Sequence, residues 1–252
     1  MKGTIQYSGN LATHFEDTLG RLRNYDSETK FIKTFLASMR DASITFVDLG
    51  CGTGKHLHAL RRYYSLGVGI DIAPDMLAVA KQRIDGKVKL LEADLRKGIP
   101  LAQDSAHCVI ALFNLFQSLA LDQDLHLLFS EVGRILKIGG LLLCDFHNEV
   151  LLNKKYPYGS TGVVRLERGY EAHLTATLSD RTKILHIEFQ DSSGAITQST
   201  THKLRVVSLG EVLSSLSQVH LSPSRVFGDF DMASFDEHKS ERFICVAQKS
   251  RS

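Results

Sequence analysis

The sequence lacks paired cysteines. Its four cysteines, Cys51, Cys108, Cys144 and Cys245, are scattered over 252 residues, and no two of them form a C-x-x-C pair. This spacing argues against a zinc site or a disulfide framework, and we predict no metal site. Two or more of these cysteines lie in apolar, strand-like segments, where cysteine behaves as a small hydrophobic residue. A reduced, cytoplasmic setting fits this usage best.

The sequence also lacks an excess of charge and a long apolar segment. The formal net charge is +2 and 23% of the residues are charged, which indicates neither a nucleic-acid-binding tail nor an acidic disordered segment. The N-terminus has one lysine followed by polar residues and no apolar signal core. The longest apolar stretch, residues 125–146, is interrupted by Glu131, Arg134 and Lys137, so we predict no membrane span.

The most informative segment is residues 46–54, which read Phe-Val-Asp-Leu-Gly-Cys-Gly-Thr-Gly. An apolar run ends at Asp48, and Gly50, Gly52 and Gly54 follow at alternate positions before a helix-compatible stretch. This pattern predicts a strand, a tight turn and the start of a helix. Glycine lets the backbone turn sharply and lets a ligand come close, because it has no Cβ. The free N–H groups at the start of the helix then face that ligand.

The spacing of these glycines separates two kinds of nucleotide site. Counted from Gly50, the G-x-G-x-x-G pattern of dinucleotide sites would place its last glycine where Lys55 stands. Asp48 at the end of the strand would repel a diphosphate and attract a cationic ligand. The turn therefore favours a nucleotide-like, cationic ligand over a dinucleotide.

Two further carboxylates follow later predicted strands. Asp71 ends the apolar run 67–70, 21 residues after Gly50, and Asp94 follows the run 88–91. In an open parallel sheet, ligands bind outside the carboxyl ends of the strands. A carboxylate about 20 residues past the glycine turn commonly holds the two hydroxyls of a ribose. One such aspartate is equally well explained as a helix cap, but three on successive strands behind this turn are not.

The apolar periodicity predicts an α/β fold. Up to residue 147, helices with one apolar face alternate with short apolar strands, and the helix that starts at Leu125 is expected to end at Gly139-Gly140. This alternation predicts a Rossmann-like, seven-stranded, mostly parallel sheet with helices on both faces. Between about 160 and 207 the period changes to two, which predicts a small antiparallel β insert. Ser208 and Glu211 form a capping box for a further helix.

Four segments resemble, in the same order, the motifs of class I S-adenosylmethionine-dependent methyltransferases. They are Val47–Gly54, Gly69–Leu77, Glu92–Leu95 and Arg134–Gly140. The last resembles a Leu-Lys-Pro-Gly-Gly turn in which Ile138 replaces the proline. The chain is similar to the bacterial small-molecule enzymes of this class, and in particular to the glycine and aminosugar N-methyltransferases.

The resemblance implies S-adenosylmethionine as the cofactor and S-adenosylhomocysteine as the product. Gly50 and Gly52 would approach the methionine part, Asp71 the ribose, and Asp94 the adenine. The full set of expected cofactor residues is Asp48, Gly50, Cys51, Gly52, Gly54, Asp71, Ile72, Met76, Asp94, Leu95, Phe113 and Asn114. The family often has Phe-Asp at the start of the fourth strand, but this chain has Ala106-His107, so we assign His107 a structural role at the surface or at the start of the strand.

The resemblance also implies a division of the chain. Residues 1–150 and 207–252 are expected to form the cofactor-binding domain, with residues 1–40 as a helical lid, and 151–206 to form the insert that covers the acceptor pocket. The lid expectation depends on the segment from Tyr7 to Phe15. In the insert, Tyr156, Tyr158, Arg165 and Arg168 are candidates to face the acceptor, although a solvated role explains them equally well.

Two residues are candidates for catalysis. His147 follows the fifth strand, and histidine can serve as a base near neutrality, so it is a candidate base, and a structural histidine is the competing explanation. Tyr7 in the expected lid is the second candidate. Some aminosugar N-methyltransferases carry a histidine where Ser118 stands, so that mechanism does not carry over to this chain.

The function expected from these observations is methyl transfer to a small-molecule acceptor by in-line displacement, in a monomer or homodimer with no nucleic-acid or membrane partner. A binding protein that keeps the fold without turnover is the alternative, since no base is obvious. The glycine spacing argues against a nicotinamide oxidoreductase. Nucleic-acid methylation is disfavoured because Asn114-Leu115-Phe116-Gln117 stands where such enzymes carry an Asn/Asp-Pro-Pro-aromatic motif. The acceptor, and the choice among N-, O- and C-methylation, stay open.

Overall fold

The computed structural model describes residues 12, 15, 16, 20, 23–40, 43–121, 124–155, 160–165 and 169–251, apart from the side chains of residues 153 and 155. The strands are β1 Thr45–Leu49, β2 Leu66–Asp71, β3 Val88–Glu92, β4 Ala106–Ala111, β5 Leu136–His147, β6 Ser160–Arg165, β7 Glu171–Ser179, β8 Thr182–Gln190, β9 Ile196–Arg205, β10 Leu221–Phe227 and β11 Arg242–Lys249. The helices are α1 Tyr25–Ser38, α2 Lys55–Ala59, α3 Pro74–Arg83, α4 Leu115–Leu119, α5 Leu125–Ile135, α6 Glu149–Lys155 and α7 Leu209–Gln218.

Seven strands form the main sheet, in the order β10-β11-β5-β4-β1-β2-β3. The five strands from β5 to β3 in this order run parallel, and β11 lies antiparallel between β5 and β10. Two apolar clusters pack against this sheet, one with α5 and α7 and the other with α1 and α2. The predicted fold, a mostly parallel seven-stranded sheet with helices, is confirmed.

The sheet has a switch point beside its central strand. The chain runs from β1 to β2 and β3 on one side and then crosses to β4 and β5 on the other. A crevice forms at the carboxyl ends of the strands where the direction of winding changes, and ligands of open α/β sheets bind there. The glycine turn follows β1, so it lies at this point.

The end of α5 differs from the prediction. The helix begins at its Asp124 cap with Leu125, Leu128, Phe129 and Val132 buried, but it stops at Ile135 and not at Gly139-Gly140. Leu136 is extended and pairs with Ala106, and the next pair of the parallel ladder joins Leu141 to Cys108. Gly139 takes a φ of +81° inside this irregularity. Pairing with β4 gives these residues the backbone partners that a helix end lacks, so tertiary contact overrides the local spacing.

The predicted antiparallel insert is a separate sheet in the order β6-β7-β8-β9. Buried positions alternate along its central strands, with Ala172 and Ala176 on β7 and Lys183, Ile187 and Phe189 on β8. The sheet therefore turns one face toward the rest of the molecule. After it, the Oγ of Ser208 accepts the N–H of Glu211 at 3.1 Å and starts α7. The division into two domains stays a prediction.

The four cysteines are buried free thiols. Within the described part of the chain, no helix is long and apolar enough to cross a membrane. The same residues contain no group of three or more metal-ligating side chains. His107 is buried at the start of β4, where its Nδ1 accepts the N–H of Thr45 at 2.9 Å. Of the two predicted placements, the start of the strand agrees with the structure and the surface does not.

Candidate cofactor and acceptor site

The glycine turn adopts a backbone that other residues disfavour. Gly50, Gly52 and Gly54 have φ values of +66°, +52° and +72°, in the left-handed region. The N–H groups of Gly50 and Cys51 both donate to the carbonyl of Ile70, at 2.7 and 3.1 Å, and hold the turn against the end of β2. A Cβ on Gly52 would meet only the Cε of Met76, at 4.0 Å. The turn is therefore open to a ligand at Gly52.

Two residues of the predicted cofactor set face the protein core. A Cβ on Gly54 would lie 3.1 Å from the Cβ of Ala80, so this glycine lets α2 pack on α3. The side chain of Cys51 belongs to the cluster around Leu57, and burial raises the pKa of its thiol well above the usual range. Only the backbone of these two residues can face a ligand, and their contact with the cofactor stays a prediction.

Asp71 is fixed at the end of β2 by backbone donors. Its Oδ2 accepts the N–H of Gly52 at 2.8 Å and its Oδ1 accepts the N–H of Ala73 at 2.9 Å. Burial raises the pKa of Asp71, and these backbone hydrogen bonds oppose that rise. The carboxyl group thus joins the glycine turn to the start of α3, where a diol would reach it.

The predicted adenine side lies one strand further out. Met76 is buried, Ile72 is half-buried, and Leu95 is 8% exposed. The Oδ1 of Asp94 accepts hydrogen bonds from the backbone N–H of Arg96 at 3.1 Å and from the side-chain Nε of Arg96 at 2.8 Å. These hydrogen bonds lower the pKa of Asp94. An adenine amine would share this carboxylate with Arg96. The contacts of these residues with the cofactor stay predictions.

Asp48 is a buried carboxyl group with an unsatisfied oxygen. It is 3% exposed, and its Oδ2 has no hydrogen-bond partner among the described residues. The Nδ1 of His56 lies 3.8 Å from this oxygen. Burial raises the pKa of Asp48 to about 8, while the charge of Arg23 opposes the rise. An unpaired buried carboxyl is costly, and a cationic ligand above the turn would relieve that cost.

Arg23, Glu28 and His56 form a buried network beside Asp48. The guanidinium of Arg23 pairs with the carboxylate of Glu28, and the Nε2 of His56 lies 2.9 Å from the Oε2 of the same residue. Burial raises the pKa of Glu28, but the hydrogen bonds from His56 and Arg23 bring it down to about 2. Burial lowers the pKa of His56. The guanidinium also lies over the rings of Tyr25 and Phe113, at 4.6 and 4.8 Å.

Sequence reasoning missed this network. Glu28 and His56 are 28 residues apart in the chain, and only the packing of α1 on α2 brings them together. The available signals were a histidine two residues past the glycine turn and a glutamate on an otherwise apolar helix face beside Phe31 and Ile32.

The loop after β4 begins the other half of the site. Phe113 and Asn114 have φ values of +62° and +59°, which are uncommon for residues with a side chain. The N–H of Asn114 donates to the Oδ1 of Asp145 at 3.0 Å, and Arg242 donates to the Oδ2 of Asp145 at 2.6 Å. Asp145 is fully buried. The pair of Asp145 and Arg242 therefore holds the strained turn in place.

His147 lies beside this turn at the end of β5. Its backbone N–H donates to the Oε1 of Gln117 at 2.8 Å. Its Nε2 lies 3.1 Å from the Nδ2 of Asn114 and 3.5 Å from the Nζ of Lys183 on β8. The structure thus brings the predicted residues His147 and Asn114 together at the carboxyl ends of β4 and β5 and adds Lys183 from the insert.

An apolar roof covers the carboxyl edge of the main sheet. We use this name for Ala12, Phe15, Ala172, Ile187 and Phe189, which form one buried cluster with Ala73 and Met76. Phe15 meets the ring of Phe113 edge to face at 6.3 Å. Glu16 fixes the same segment: its Oε1 accepts the Thr53 hydroxyl at 2.7 Å and pairs with Arg83 at 2.6 Å. Ala12 and Phe15 thus join the insert in covering this part of the sheet edge with apolar side chains.

Some predicted residues do not enter this arrangement. The side chain of Arg165 is 90% exposed and pairs with Glu171 at 3.6 Å, so it faces solvent. Tyr7, Tyr156, Tyr158 and Arg168 lie outside the described residues, and their roles stay predictions.

The residues present fit the cofactor that the sequence implies. Asp48 offers an unsatisfied carboxyl oxygen to a cation, Gly52 leaves open space, and Asp71 holds a fixed carboxyl group one strand away. These groups are spaced along the ends of β1 and β2, in the order in which the methionine and ribose parts of S-adenosylmethionine would need them.

Comparison with known proteins agrees with this reading. Residues 46–140 match the family model described as a methyltransferase domain. A Bacillus subtilis protein named as a methyltransferase, YqeM, is 27% identical over 233 residues, which cover 90% of this chain and 92% of that protein. The dTDP-3-amino-3,4,6-trideoxy-alpha-D-glucopyranose N,N-dimethyltransferase of Streptomyces venezuelae is 25% identical over 127 residues, 50% of this chain and 52% of that protein.

The fold is also that of a solved structure. An S-adenosylmethionine-dependent methyltransferase from Clostridium acetobutylicum superposes with a TM-score of 0.83 at 17% identity, over 96% of this chain and 99% of that one. This structural likeness shows the fold, and the matched domain and the named relatives support the chemistry. Residues 46–140 are a methyltransferase domain, and the protein is an enzyme that uses S-adenosylmethionine.

Proposed function

We propose that the protein transfers the methyl group of S-adenosylmethionine by in-line displacement to a small-molecule acceptor. The observation that carries this proposal is the division of the sheet edge into two halves. Asp48 and Asp71 lie at the ends of β1 and β2, whereas Asn114 and His147 lie at the ends of β4 and β5. A donor over the first half and an acceptor over the second would meet above the glycine turn.

The residues of the donor half would hold the cofactor by charge and by shape. When bound, S-adenosylmethionine supplies a methyl group already activated on a sulfonium, so positioning and the exclusion of water can provide much of the rate. Asp48 would face the cationic part of the methionine, Asp71 the ribose, and Met76 the adenine. Gly52 leaves room for the methionine beside the backbone.

The residues of the acceptor half would orient the nucleophile. Asn114 has an unpartnered, buried Oδ1 among the described residues, which can accept a hydrogen from an amine or a hydroxyl. His147 lies next to it and would take the proton when the acceptor must lose one. Tyr7 in the predicted lid stays the second candidate for catalysis.

A small-molecule acceptor is supported by the roof. Apolar residues of the N-terminal segment and of the insert close over the sheet edge, which leaves little room for a macromolecule. The net charge of +2 gives no overall electrostatic attraction for nucleic acid. The relative from Streptomyces venezuelae is named for an aminosugar acceptor, but only about half of its length aligns with this chain, so we propose the small-molecule class and not that sugar.

The test combines binding with turnover. Calorimetry with S-adenosylhomocysteine should show binding to the full chain, and formation of S-adenosylhomocysteine should be measured over a panel of amines, hydroxy acids, carboxylic acids and aminosugar nucleotides, with duplex DNA and tRNA alongside. We expect turnover with one or more small molecules. Failure to bind S-adenosylhomocysteine would contradict the donor half of the proposal. Turnover on nucleic acid alone, or binding without turnover on any panel member, would contradict the acceptor half.

A further inference from the structure

A lysine lies on the buried face of the insert. Lys183 is 8% exposed and continues the alternation of Leu185, Ile187 and Phe189 along β8, the face that turns toward the main sheet. Lysine is almost never buried to this degree without polar partners, because its ammonium loses its hydration. The ammonium lies 3.5 Å from the Nε2 of His147. The insert therefore brings a positive charge to the acceptor half of the site.

Hydrogen-bond donors converge with this lysine. The Nδ2 of Asn114 lies 3.1 Å from the same Nε2 of His147. An ammonium and an amide nitrogen thus lie within hydrogen-bond distance of the same ring nitrogen. Asn114 and Lys183 therefore both bring donor groups to His147.

Gln117 adds a further donor. Its Oε1 is committed to the backbone N–H of His147 at 2.8 Å, which fixes the orientation of the amide. Its Nε2 is buried and has no hydrogen-bond partner in the described part of the protein. A buried amide nitrogen without a partner costs stability, so the site gains when a ligand supplies an acceptor oxygen.

The carboxylate at this edge is already neutralised. Both oxygens of Asp145 are engaged, one by the N–H of Asn114 and the other by Arg242. The group formed by Asn114, Gln117, His147 and Lys183 is therefore rich in donors, in contrast to the carboxyl groups of Asp48 and Asp71 on the donor half.

We propose that Lys183, Asn114 and Gln117 form a subsite for an anionic oxygen group, a carboxylate or a phosphate, carried by the methyl acceptor. The acceptor would thus be an acid, and the insert would select it. This inference depends on the proposed function, because it assigns the acceptor of the same reaction. Charge-assisted hydrogen bonds between an ammonium and an anionic oxygen are among the stronger contacts in proteins, and the apolar roof strengthens this one by excluding water.

The subsite can be tested without knowledge of the whole acceptor. The full chain, saturated with S-adenosylhomocysteine, would be titrated with sodium acetate, inorganic phosphate and, at matched ionic strength, sodium chloride. Binding would be followed by the NMR signals of histidine ring carbons, with the His147 signal assigned by its loss in His147→Gln. We expect this signal to move and saturate with acetate or phosphate and not with chloride. Saturation by acetate alone assigns a carboxylate, and saturation by phosphate alone assigns a phosphate.

Matched variants decide the role of the lysine. Lys183→Met should weaken binding of the anion by about tenfold or more. Lys203→Met removes the same charge from an exposed position of β9 and should leave the affinity for the anion unchanged. Lys183→Arg keeps the charge and should retain binding within about threefold, and it serves if the methionine variant does not fold. The proposal is wrong if S-adenosylhomocysteine binds but neither anion saturates the signal, or if the anion binds equally well to the wild type and to a folded Lys183→Met. Loss of S-adenosylhomocysteine binding in the wild type would instead contradict the proposed function.

Discussion

The two halves of the sheet edge differ in charge and in construction. The donor half presents carboxyl groups, Asp48 and Asp71, on consecutive strands, and backbone N–H groups of one short turn bind Asp71 and the end of β2. The acceptor half presents amide and ammonium donors from residues as distant in the chain as Asn114 and Lys183, and Arg242 supports it from the last strand. In the proposed function, the opposite character of the two halves would direct the cationic cofactor to one and an anionic acceptor to the other, so each ligand would have a single favourable place.

Breaking the support of the acceptor half should have the largest effect on stability. Arg242→Met leaves the buried carboxylate of Asp145 without its ion pair, and we expect a loss of about 2–4 kcal/mol in the free energy of unfolding. Urea denaturation would measure it. Lys239→Met removes an ion pair with Asp236 at the surface, where the side chain of Lys239 is 83% exposed. This variant should lose only about 0–1 kcal/mol in the free energy of unfolding. Equal losses in the two variants would show that Asp145 needs no partner.

Breaking the donor half should leave the acceptor half intact. Asp71→Asn keeps the shape of the side chain but removes the charge that would bind the ribose, and we expect S-adenosylhomocysteine to bind roughly 30–100-fold more weakly, or about 2–3 kcal/mol. Calorimetry measures this loss. The control is Asp75→Asn, an exposed residue in the first turn of α3. The comparison fails if both variants bind the ligand as the wild type does.

The buried carboxyl of Asp48 should make stability depend on pH. Burial raises its pKa from 3.8 to about 8 in the folded protein, so the folded state holds this proton more tightly than the unfolded state. The stabilising contribution is complete below about pH 4 and is lost as the pH rises through about 8. Asp48→Asn should therefore have a higher free energy of unfolding than the wild type at pH 9, by roughly 2 kcal/mol, and a similar one near pH 4. Thermal denaturation at the two pH values would measure the difference.

The same residue links the pH to the ligand. A cation bound beside Asp48 favours the ionised carboxyl, so binding of S-adenosylhomocysteine near pH 7 should release a proton. Calorimetry in buffers of different ionisation enthalpy measures that release, and Asp48→Asn should abolish it. A release that is identical in wild type and variant would assign the proton to another group.

The smallest effect is expected from Glu16, whose ion pairs hold the N-terminal part of the roof. Glu16→Gln removes a charge that pairs with Arg83 at 2.6 Å and Lys55 at 3.4 Å, on a side chain that is 26% exposed. We expect the bound state to lose about 0.5–1 kcal/mol of stability. Stopped-flow measurements should show this loss as a two- to fivefold faster release of S-adenosylhomocysteine. Glu92→Gln, an exposed change at the end of β3, is the control. An unchanged release rate in Glu16→Gln would mean that the roof does not gate the ligand.

The sequence predicted the donor half far better than the acceptor half. Asp48, the glycines and Asp71 are close in the chain, and strand–turn–helix spacing alone places them at one sheet edge. Lys183 reaches His147 across 36 residues, and Arg242 reaches Asp145 across 97. Such pairs depend on how two sheets pack, which local periodicity does not encode. The one available signal was that Lys183 continues the apolar alternation of Leu185, Ile187 and Phe189.

The Asp145–Arg242 pair also bears on how the chain is made. On the ribosome, β5 emerges well before β11, although β11 is the neighbour that pairs with it from Phe146 to Leu141. Until residue 242 has emerged, one edge of a long apolar strand stays open, and an open edge of this kind can pair with other chains. A nascent or truncated chain that stops before β11 should therefore depend on chaperones, and synthesis of the last strand should release that dependence.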